Sequence, residues 1–298
     1  MPAPVSDPAR PADFADSADS AGLPDSAATT AVLLLQGLCG TPEELRPVRT
    51  MLLSLGFTVR SFSIPGYAFD PACSVQRATP FRSWIDCVEQ EVKRLRATHA
   101  RVMIVGISAG ATLALAGAIR CGEAVGALVL MSTPLRIDGW AIPRTRFLMP
   151  LALYTPLGRF WQYRERPPYG VKNERVRAWI ERQLASRKVS GAGSAVIGIG
   201  HLRENDRLVR HVRRRLDQVR CESVLALHAR EDEVASVANL EILARGLRTR
   251  TLRMVVLDDC FHMITIDNLR HEVASETVQF ASAFAEGRFA NVQASQTT

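Results

Sequence analysis

Short runs of apolar residues alternate along the chain with longer stretches in which apolar residues recur every three or four positions. The short runs are typical of strands buried on both faces, and the longer stretches are typical of amphipathic helices. Six runs are predicted to be strands: 31–35, 57–62, 101–107, 126–131, 224–227 and 251–257. Strands that alternate with helices predict an α/β fold with a mostly parallel, doubly wound sheet.

One helix start is well marked. Thr41 stands three residues before Glu44, which is the spacing of a capping box, and Pro42 occupies the first helical position. Apolar residues then recur at helical spacing at Leu45, Val48 and Leu52. Gly56 closes the segment, so the pattern predicts a helix that begins directly after Thr41.

The alternation stops between residues 135 and 220, where no strand is predicted. Two helical stripes occur there, one with Val176, Trp179, Ile180 and Leu184 and the other with Leu208, Val212 and Leu216. We therefore predict a helical cap over 135–220, inserted before the last two strands. The α/β core that remains consists of 29–134 and 221–288.

Both ends of the chain differ in amino-acid composition from this core. Residues 1–28 are rich in Ala, Pro, Asp and Ser and carry five acids against Arg10, which predicts a disordered tail. A second short tail is predicted over 289–298. The first segment has neither the basic start nor the apolar stretch of a secretory signal, so a cytoplasmic location is expected.

Composition excludes several classes of protein. No apolar run approaches the roughly 18 residues that cross a bilayer, so integral membrane association is not expected. The six cysteines show no CxxC and no paired spacing, which argues against a zinc site and a disulfide scaffold. Glycines at 190–193 and 198–200 do not form G-x-G-x-x-G and follow no strand, so nucleotide binding is not predicted.

The positive charge is concentrated in the predicted cap. The whole chain carries +7, whereas residues 135–220 hold 19 Arg or Lys against seven Asp or Glu. This excess can steer anionic substrates or it can be a solvated helix face, and the sequence leaves both open. The apolar run 147–154 is likewise compatible with a transient lipid contact and with packing inside the cap.

A candidate nucleophile lies where a predicted strand meets a predicted helix. The segment Gly106-Ile-Ser108-Ala-Gly110 matches G-x-S-x-G, with an apolar strand before it and an alanine-rich helix after it. A sharp turn at that junction lifts the serine hydroxyl clear of the sheet and places it at a helix N-terminus, which favours negative charge.

Candidate acids and bases follow two later strands. Asp232 comes after the strand 224–227 and His262 after 251–257, which gives the order Ser108, Asp232, His262 of α/β-hydrolases. Several neighbours remain alternatives for the acid: Glu231, Glu233, Asp258 and Asp259. His228 is expected to be a strand-end residue, and the other histidines are expected at the surface: His99, His201, His211 and His271.

Several segments resemble the small bacterial carboxylesterase and monoacylglycerol lipase family of α/β-hydrolases. They are 33–42, 81–86, 105–110, 228–233 and 261–267. The resemblance spans about 30–288 and is weakest in the cap. It implies that Ser108 is the nucleophile, Asp232 the acid and His262 the base.

Acyl transfer also needs donors for the oxyanion of its tetrahedral intermediate. The N–H of Ala109, directly after the nucleophile, is one expected donor, and Leu38 matches the family's second donor, next to Gly37. This chain has Gln36 where the family usually has histidine, which leaves open how the loop is held. Phe261 stands where the family often has glycine and is expected to narrow access beside His262. Cys39 is expected to be a packing residue.

These features predict a serine hydrolase that cleaves carboxylic esters of small molecules through an acyl-enzyme. No metal or organic cofactor and no nucleic acid partner is expected. Two other functions remain open: a thioesterase or acyltransferase with the same three residues, and a non-catalytic binding protein that uses its basic cap. Acyl length, alcohol and oligomeric state are not predicted.

Overall fold

Six parallel strands form the sheet at the centre of the molecule. The computed structural model describes residues 25–70, 76–156, 158, 162–164, 166–187, 189–190, 193–194 and 196–289. The strands of the sheet are β1 (Thr30–Leu35), β2 (Thr58–Ser61), β3 (Arg101–Ile107), β4 (Ala127–Met131), β9 (Ser223–Ala229) and β10 (Thr251–Leu257). Their order is β10-β9-β4-β3-β1-β2, and every neighbouring pair is parallel. The predicted α/β fold with a parallel sheet is confirmed, and β3 lies in its middle.

The apolar runs become strands because both faces of the sheet are covered. Every residue of β1, β4 and β9 is buried, whereas β10 lies at an edge and leaves Met254 partly exposed. Along β1, Leu33 and Leu35 contact one apolar cluster and Val32 and Leu34 contact the other. This alternation divides the core into two layers.

Nine helices are described. They are α1 (Asp25–Ala28), α2 (Arg46–Ser54), α3 (Phe81–Arg96), α4 (Ala109–Cys121), α5 (Met149–Tyr154), α6 (Glu174–Arg187), α7 (Ile199–Arg213), α8 (Ala238–Gly246) and α9 (Arg270–Ala285). Helices α3, α4, α7 and α8 contribute to the first core layer, and α2 and α9 to the second. The sheet is therefore wound on both faces, as in other doubly wound folds.

The helix predicted after Thr41 begins as a tighter turn. Pro42–Leu45 forms a 3-10 helix that leads into α2. Gly56 follows α2 with a φ of +79°, a conformation that glycine adopts without strain. The predicted start and end of the segment are correct, and only its first turn differs.

The segment 135–220 contains helices α5, α6 and α7, but the prediction that it lacks strands is wrong. Two short antiparallel pairs occur there: β5 (Gln162–Arg164) with β8 (Val196–Gly198), and β6 (Val189–Ser190) with β7 (Gly193–Ser194). The segment also packs into the core, since Leu208 and Val212 belong to the first layer and Ile180 to the second. Trp179, expected on an apolar stripe, is 42% exposed.

Parts of the two predicted tails are structured. Residues 25–28 form α1, and Phe289 packs against Phe280 with ring centroids 5.1 Å apart. The rest of the two predicted tails, 1–24 and 290–298, lies outside the described residues.

Candidate active site

Ser108 lies at the sharp turn between the central strand β3 and helix α4. Its φ of +54° and ψ of −125° are strained for a residue with a side chain. Its N–H donates to the carbonyl oxygen of Met131 at 2.8 Å, and its own carbonyl oxygen accepts from Ala111 N–H at 2.9 Å. The neighbouring strand and the first turn of the helix therefore hold the serine in this conformation.

The glycines on either side of Ser108 permit close backbone packing. A Cβ atom at Gly106 would lie 2.4 Å from the carbonyl oxygen of Gly110. A Cβ atom at Gly110 would lie 2.2 Å from the carbonyl oxygen of Leu35. Because both obstacles are backbone atoms that cannot move aside, the turn needs glycine at both positions.

The side chains of Ser108, His262 and Asp232 meet at the carboxyl ends of their strands. The Oγ of Ser108 lies 2.8 Å from Nε2 of His262. On the other side of the ring, Nδ1 of His262 lies 2.8 Å from Oδ2 and 3.0 Å from Oδ1 of Asp232. The structure thus brings together the three residues predicted as nucleophile, base and acid, in hydrogen-bonding order.

Asp232 is buried and its carboxylate is fixed by its own loop. Its Oδ1 accepts the N–H groups of Val234 and Ala235, both at 2.8 Å. Burial alone would raise the pKa of this carboxyl, but the His262 imidazole and these hydrogen bonds outweigh it, and the pKa is lowered. Asp232 therefore carries its negative charge beside the imidazole at neutral pH.

The alternative acids have other partners. Glu231 and Asp259 pair with the ammonium of Lys172 at 2.6 and 3.2 Å, and Asp258 pairs with Arg230. The Oε2 of Glu233 accepts the backbone N–H of His262 at 3.0 Å. Burial raises the pKa of Glu233, against the opposing effect of His262. Asp232, in contrast, presents both carboxylate oxygens to Nδ1 of His262.

The strand-end histidine is a buried neighbour of the acid. His228 donates from Nε2 to the carbonyl oxygen of Ala235 at 2.7 Å, and the same nitrogen lies 3.4 Å from Asp232. Burial lowers the pKa of His228, so its ring is neutral at pH 7. The expectation that His201 lies at the surface is wrong: it is buried in α7.

The two expected oxyanion donors lie on segments that contact each other. Ala109 is the first residue of α4, and Leu38 lies in the loop after β1. A Cβ atom on Gly37 would lie 3.8 Å from the Cβ of Ser108, so this loop adjoins the serine. Within the described part of the chain, neither Leu38 N–H nor Ala109 N–H donates a hydrogen bond to the protein.

The loop that carries Leu38 is held without the side-chain amide of Gln36. Gly40 N–H donates to the carbonyl oxygen of Gly37 at 3.0 Å, and Cys39 N–H donates to that of Tyr67 at 2.9 Å. The hydroxyl of Tyr67 in turn donates to the carbonyl oxygen of Gln36 at 2.7 Å. These three hydrogen bonds of the loop involve backbone groups and the Tyr67 hydroxyl, and none of them uses the side chain of Gln36.

Cys39 is buried in this loop, with a φ of +54°. Burial, with a contribution from Glu44, raises the pKa of its thiol to about 12. Because the thiolate is the nucleophilic form of cysteine, this residue is inert at neutral pH.

Sequence reasoning assigned no role to Asp267, which organises the loop that bears His262. Its fully buried carboxylate accepts Phe261 N–H at 2.8 Å and Asn268 N–H at 2.9 Å. It also accepts Lys172 N–H at 2.7 Å and Asn173 N–H at 2.8 Å from the segment before α6. The only signal in the sequence was its position inside the segment 261–267, which resembles the family.

Phe261 turns its ring toward residues of the cap. Its ring lies edge-on to Trp140, with centroids 5.6 Å apart, and the ammonium of Lys172 lies 5.9 Å from its centroid. Trp140 also donates from Nε1 to the carbonyl oxygen of Glu231 at 2.8 Å. The expected narrowing of access beside His262 stays a prediction.

A parallel, doubly wound sheet with a strained serine after its central strand is the fold of the α/β-hydrolases. A model of the family described as serine aminopeptidase, S33, matches residues 26–268, and the chain belongs to this family. A thermostable monoacylglycerol lipase of Bacillus sp. (strain H-257) is 24% identical over 254 residues, which are 85% of this chain and 91% of the relative. As the sequence predicts, the protein is an ester hydrolase.

Solved structures of lipolytic enzymes share the fold. A metagenome-derived lipolytic enzyme superposes with a TM-score of 0.70 at 18% identity, over 86% of this chain and 94% of the other. A soluble variant of the monoglyceride lipase of Saccharomyces cerevisiae gives a TM-score of 0.70 at 13% identity, over 90% and 89% of the two chains. Among the helices described for the present protein, none is both long enough and apolar enough to cross a membrane.

Proposed function

We propose that Ser108, His262 and Asp232 carry out ester hydrolysis as nucleophile, general base and orienting acid. The proposal is carried by two hydrogen bonds at the imidazole. The serine hydroxyl donates to Nε2 at 2.8 Å, and Nδ1 donates to the carboxylate at 2.8 Å. A serine hydroxyl is a weak nucleophile until a neighbouring base accepts its proton. Asp232 holds the ring in the tautomer that leaves Nε2 free to accept it.

The reaction then follows from the positions of these atoms. Oγ of Ser108 attacks the ester carbonyl carbon while Nε2 of His262 accepts the hydroxyl proton. The tetrahedral intermediate collapses to an acyl-enzyme, and His262 returns the proton to the leaving alcohol. A water molecule, activated by the same nitrogen, releases the carboxylic acid and restores Ser108.

Two backbone N–H groups are proposed to stabilise the oxyanion. Leu38 and Ala109 supply them from the loop after β1 and from the first turn of α4. Both groups lack a protein acceptor among the described residues, so they are available to a ligand. Fixed donors of this kind stabilise the charge that develops in the transition state and need no reorganisation.

For the substrate, we propose esters of lipid type, with monoacylglycerols as the first candidates. The Bacillus and yeast relatives are a monoacylglycerol lipase and a monoglyceride lipase. A second support comes from the cap, where Phe147 is 73% and Leu151 is 56% exposed. Exposed apolar side chains close together in the chain favour contact with lipid over packing inside the cap.

A substrate panel tests the proposal. Initial rates are measured for monoacylglycerols and p-nitrophenyl esters of increasing acyl length, for acyl thioesters, and for acyl transfer to added alcohol. We expect hydrolysis of the oxygen esters, with a loss of at least 10³-fold in Ser108→Ala and no loss in the exposed control Ser54→Ala. Faster thioester cleavage or dominant acyl transfer would assign the same site to the alternative reactions. Activity retained in folded Ser108→Ala would contradict the proposed nucleophile.

A further inference from the structure

The loop that carries Leu38 is braced from inside by a buried carboxylate. Glu44 is only 2% exposed, and its Oε2 accepts the N–H of Gly37 at 2.7 Å. Its Oε1 accepts the N–H of Thr41 at 3.3 Å, which is its half of the predicted capping box. One side chain therefore spans both ends of the turn 37–41.

Because Gly40 has no side chain, the carboxylate of Glu44 can occupy the space beside it. A Cβ atom at Gly40 would lie 2.0 Å from Oε1 of Glu44, and the three atoms nearest to it all belong to Glu44. The carboxylate and Gly40 are thus packed against each other inside the turn, and a larger residue at 40 has to displace Glu44.

The hydrogen bonds of this turn determine where Leu38 N–H points. The carbonyl group of Gly37 and the N–H of Leu38 belong to the same planar peptide unit. Because Gly40 N–H holds that carbonyl oxygen at 3.0 Å, the N–H of Leu38 faces the opposite side of the peptide. Glu44 holds the N–H of Gly37, which belongs to the preceding peptide unit, so this unit and the one before it are each held by a hydrogen bond.

We propose that Glu44 is a positioning residue for the oxyanion hole: it holds the Gly37–Leu38 peptide in place beside Ser108. The inference rests on the proposed function of Leu38 and Ser108. Glu44 accepts backbone N–H groups of the turn, so we assign it a positioning role and not a catalytic one. Its contribution is to keep a donor where the charge of the transition state develops, and a small displacement of such a donor is costly.

The first test compares Glu44→Ala with Glu44→Gln and with the exposed neighbour Glu43→Ala. We expect kcat/KM for a short ester to fall about 10- to 100-fold in Glu44→Ala, mainly through kcat. Glutamine can keep its one acceptor oxygen on the N–H of Gly37 and turn its NH₂ toward the longer contact with Thr41 N–H, so Glu44→Gln should recover part of the rate. Glu43→Ala should match the wild type. The inhibition constant of a trifluoromethyl ketone, whose adduct places an oxyanion in the hole, should rise in parallel with the loss in kcat/KM.

A second test uses the contact between Gly40 and Glu44. Gly40→Ala displaces the carboxylate without removing it, so it should lower kcat/KM as Glu44→Ala does. In the Glu44→Ala background the space is free, and adding Gly40→Ala should change kcat/KM less than twofold. This coupling distinguishes displacement of Glu44 from general damage to the fold, which would be additive.

Three outcomes would overturn the inference: Glu44→Ala with wild-type kcat/KM, a loss of rate with an unchanged inhibition constant for the ketone, or additive losses in the double variant. Each outcome is interpreted together with the activity of Ser108→Ala measured in the same assay. If Ser108→Ala stays active, the proposed function itself fails. If Ser108→Ala is inactive and Glu44→Ala is fully active, only the role of Glu44 fails.

Discussion

Asp232 differs from the neighbouring carboxylates in what its two oxygens face. Its Oδ1 accepts two backbone N–H groups. Both of its carboxylate oxygens lie within 3.0 Å of Nδ1 of His262. An amide at this position would turn its NH₂ toward one of these donors, so Asp232→Asn disturbs either the loop or the imidazole. We expect a fall in kcat of about 10⁴-fold in a folded protein, the loss typical of a neutralised triad acid.

Steady-state kinetics on a p-nitrophenyl ester measure this loss. Asp259→Asn is the matched control, since Asp259 pairs with Lys172 and should keep most of the activity. If Asp259→Asn lost the activity and Asp232→Asn did not, the acid would be misassigned.

Glu233 should make stability depend on pH. Burial raises its pKa, so the folded state binds the proton more tightly than the unfolded state does. Its contribution is therefore most favourable at low pH and is lost as pH rises through the raised pKa. Glu233→Gln removes this effect and keeps an acceptor for His262 N–H. Its Tm relative to the wild type should be higher at pH 8 than at pH 4, by about 2–4 °C per kcal/mol removed.

Thermal unfolding at the two pH values measures this difference. Glu43→Gln serves as the exposed control and should show no pH-dependent difference from the wild type. A Tm difference for Glu233→Gln that is the same at both pH values would contradict the role of burial at Glu233.

At the scale of elements, one carboxylate joins two loops. Asp267 accepts N–H groups from the loop before His262 and from the segment that leads into α6. Asp267→Asn replaces one of its acceptor oxygens with an NH₂ group that faces these donors. We expect the free energy of unfolding to fall by about 3 kcal/mol, given the usual strength of hydrogen bonds to a charged group.

Scanning calorimetry should show this as a Tm lower by about 6–12 °C. The kcat/KM of Asp267→Asn should fall as well, because the loop that it anchors carries His262. The exposed Asp258→Asn should change neither quantity. A variant Asp267→Asn with wild-type Tm would show that these hydrogen bonds do not hold the loop.

The elements of the sheet were predictable from the sequence, and the strands of the cap were not. The apolar runs that became β1, β3, β4 and β9 are buried on both faces, which leaves a strong local signal. The pairs in the cap involve strands of two or three residues, too short for any alternation to show. Their pairing depends on contacts distant in the chain.

The residues of the candidate site were likewise predictable only in part. Ser108, Asp232 and His262 follow strands, so the topology of a parallel sheet predicts that they lie near one another. The choice of Asp232 over its acidic neighbours came from the family resemblance. The contact between Glu44 and Gly37 depends on how the loop after β1 folds back. The capping box pointed to Glu44 only as the start of a helix, and no periodic pattern marks its second hydrogen bond.

At the scale of the whole molecule, some of the positive charge of the segment 135–220 lies in ion pairs. In α7, Arg207 pairs with Glu204 at 2.6 Å and Arg210 pairs with Asp206 at 3.1 Å. Arg213 and Arg214 are exposed, as on a solvated helix face. We therefore expect no steering of anionic substrates by this surface.

Salt dependence tests this expectation. The kcat/KM values of a neutral ester and of an ester of equal length with an anionic tail should respond alike to added salt. A steep fall for the anionic ester alone would show that the basic surface attracts substrates of negative charge.

The central claim is that Ser108 is an activated nucleophile, and covalent labelling tests it most directly. The protein is treated with a fluorophosphonate, which reacts with serines activated by a neighbouring base, and the modified peptide is identified by mass spectrometry. The account predicts a single adduct, on Ser108, formed with loss of esterase activity and much more slowly in His262→Ala. An adduct on another serine, or inactivation that leaves Ser108 unmodified, would contradict it.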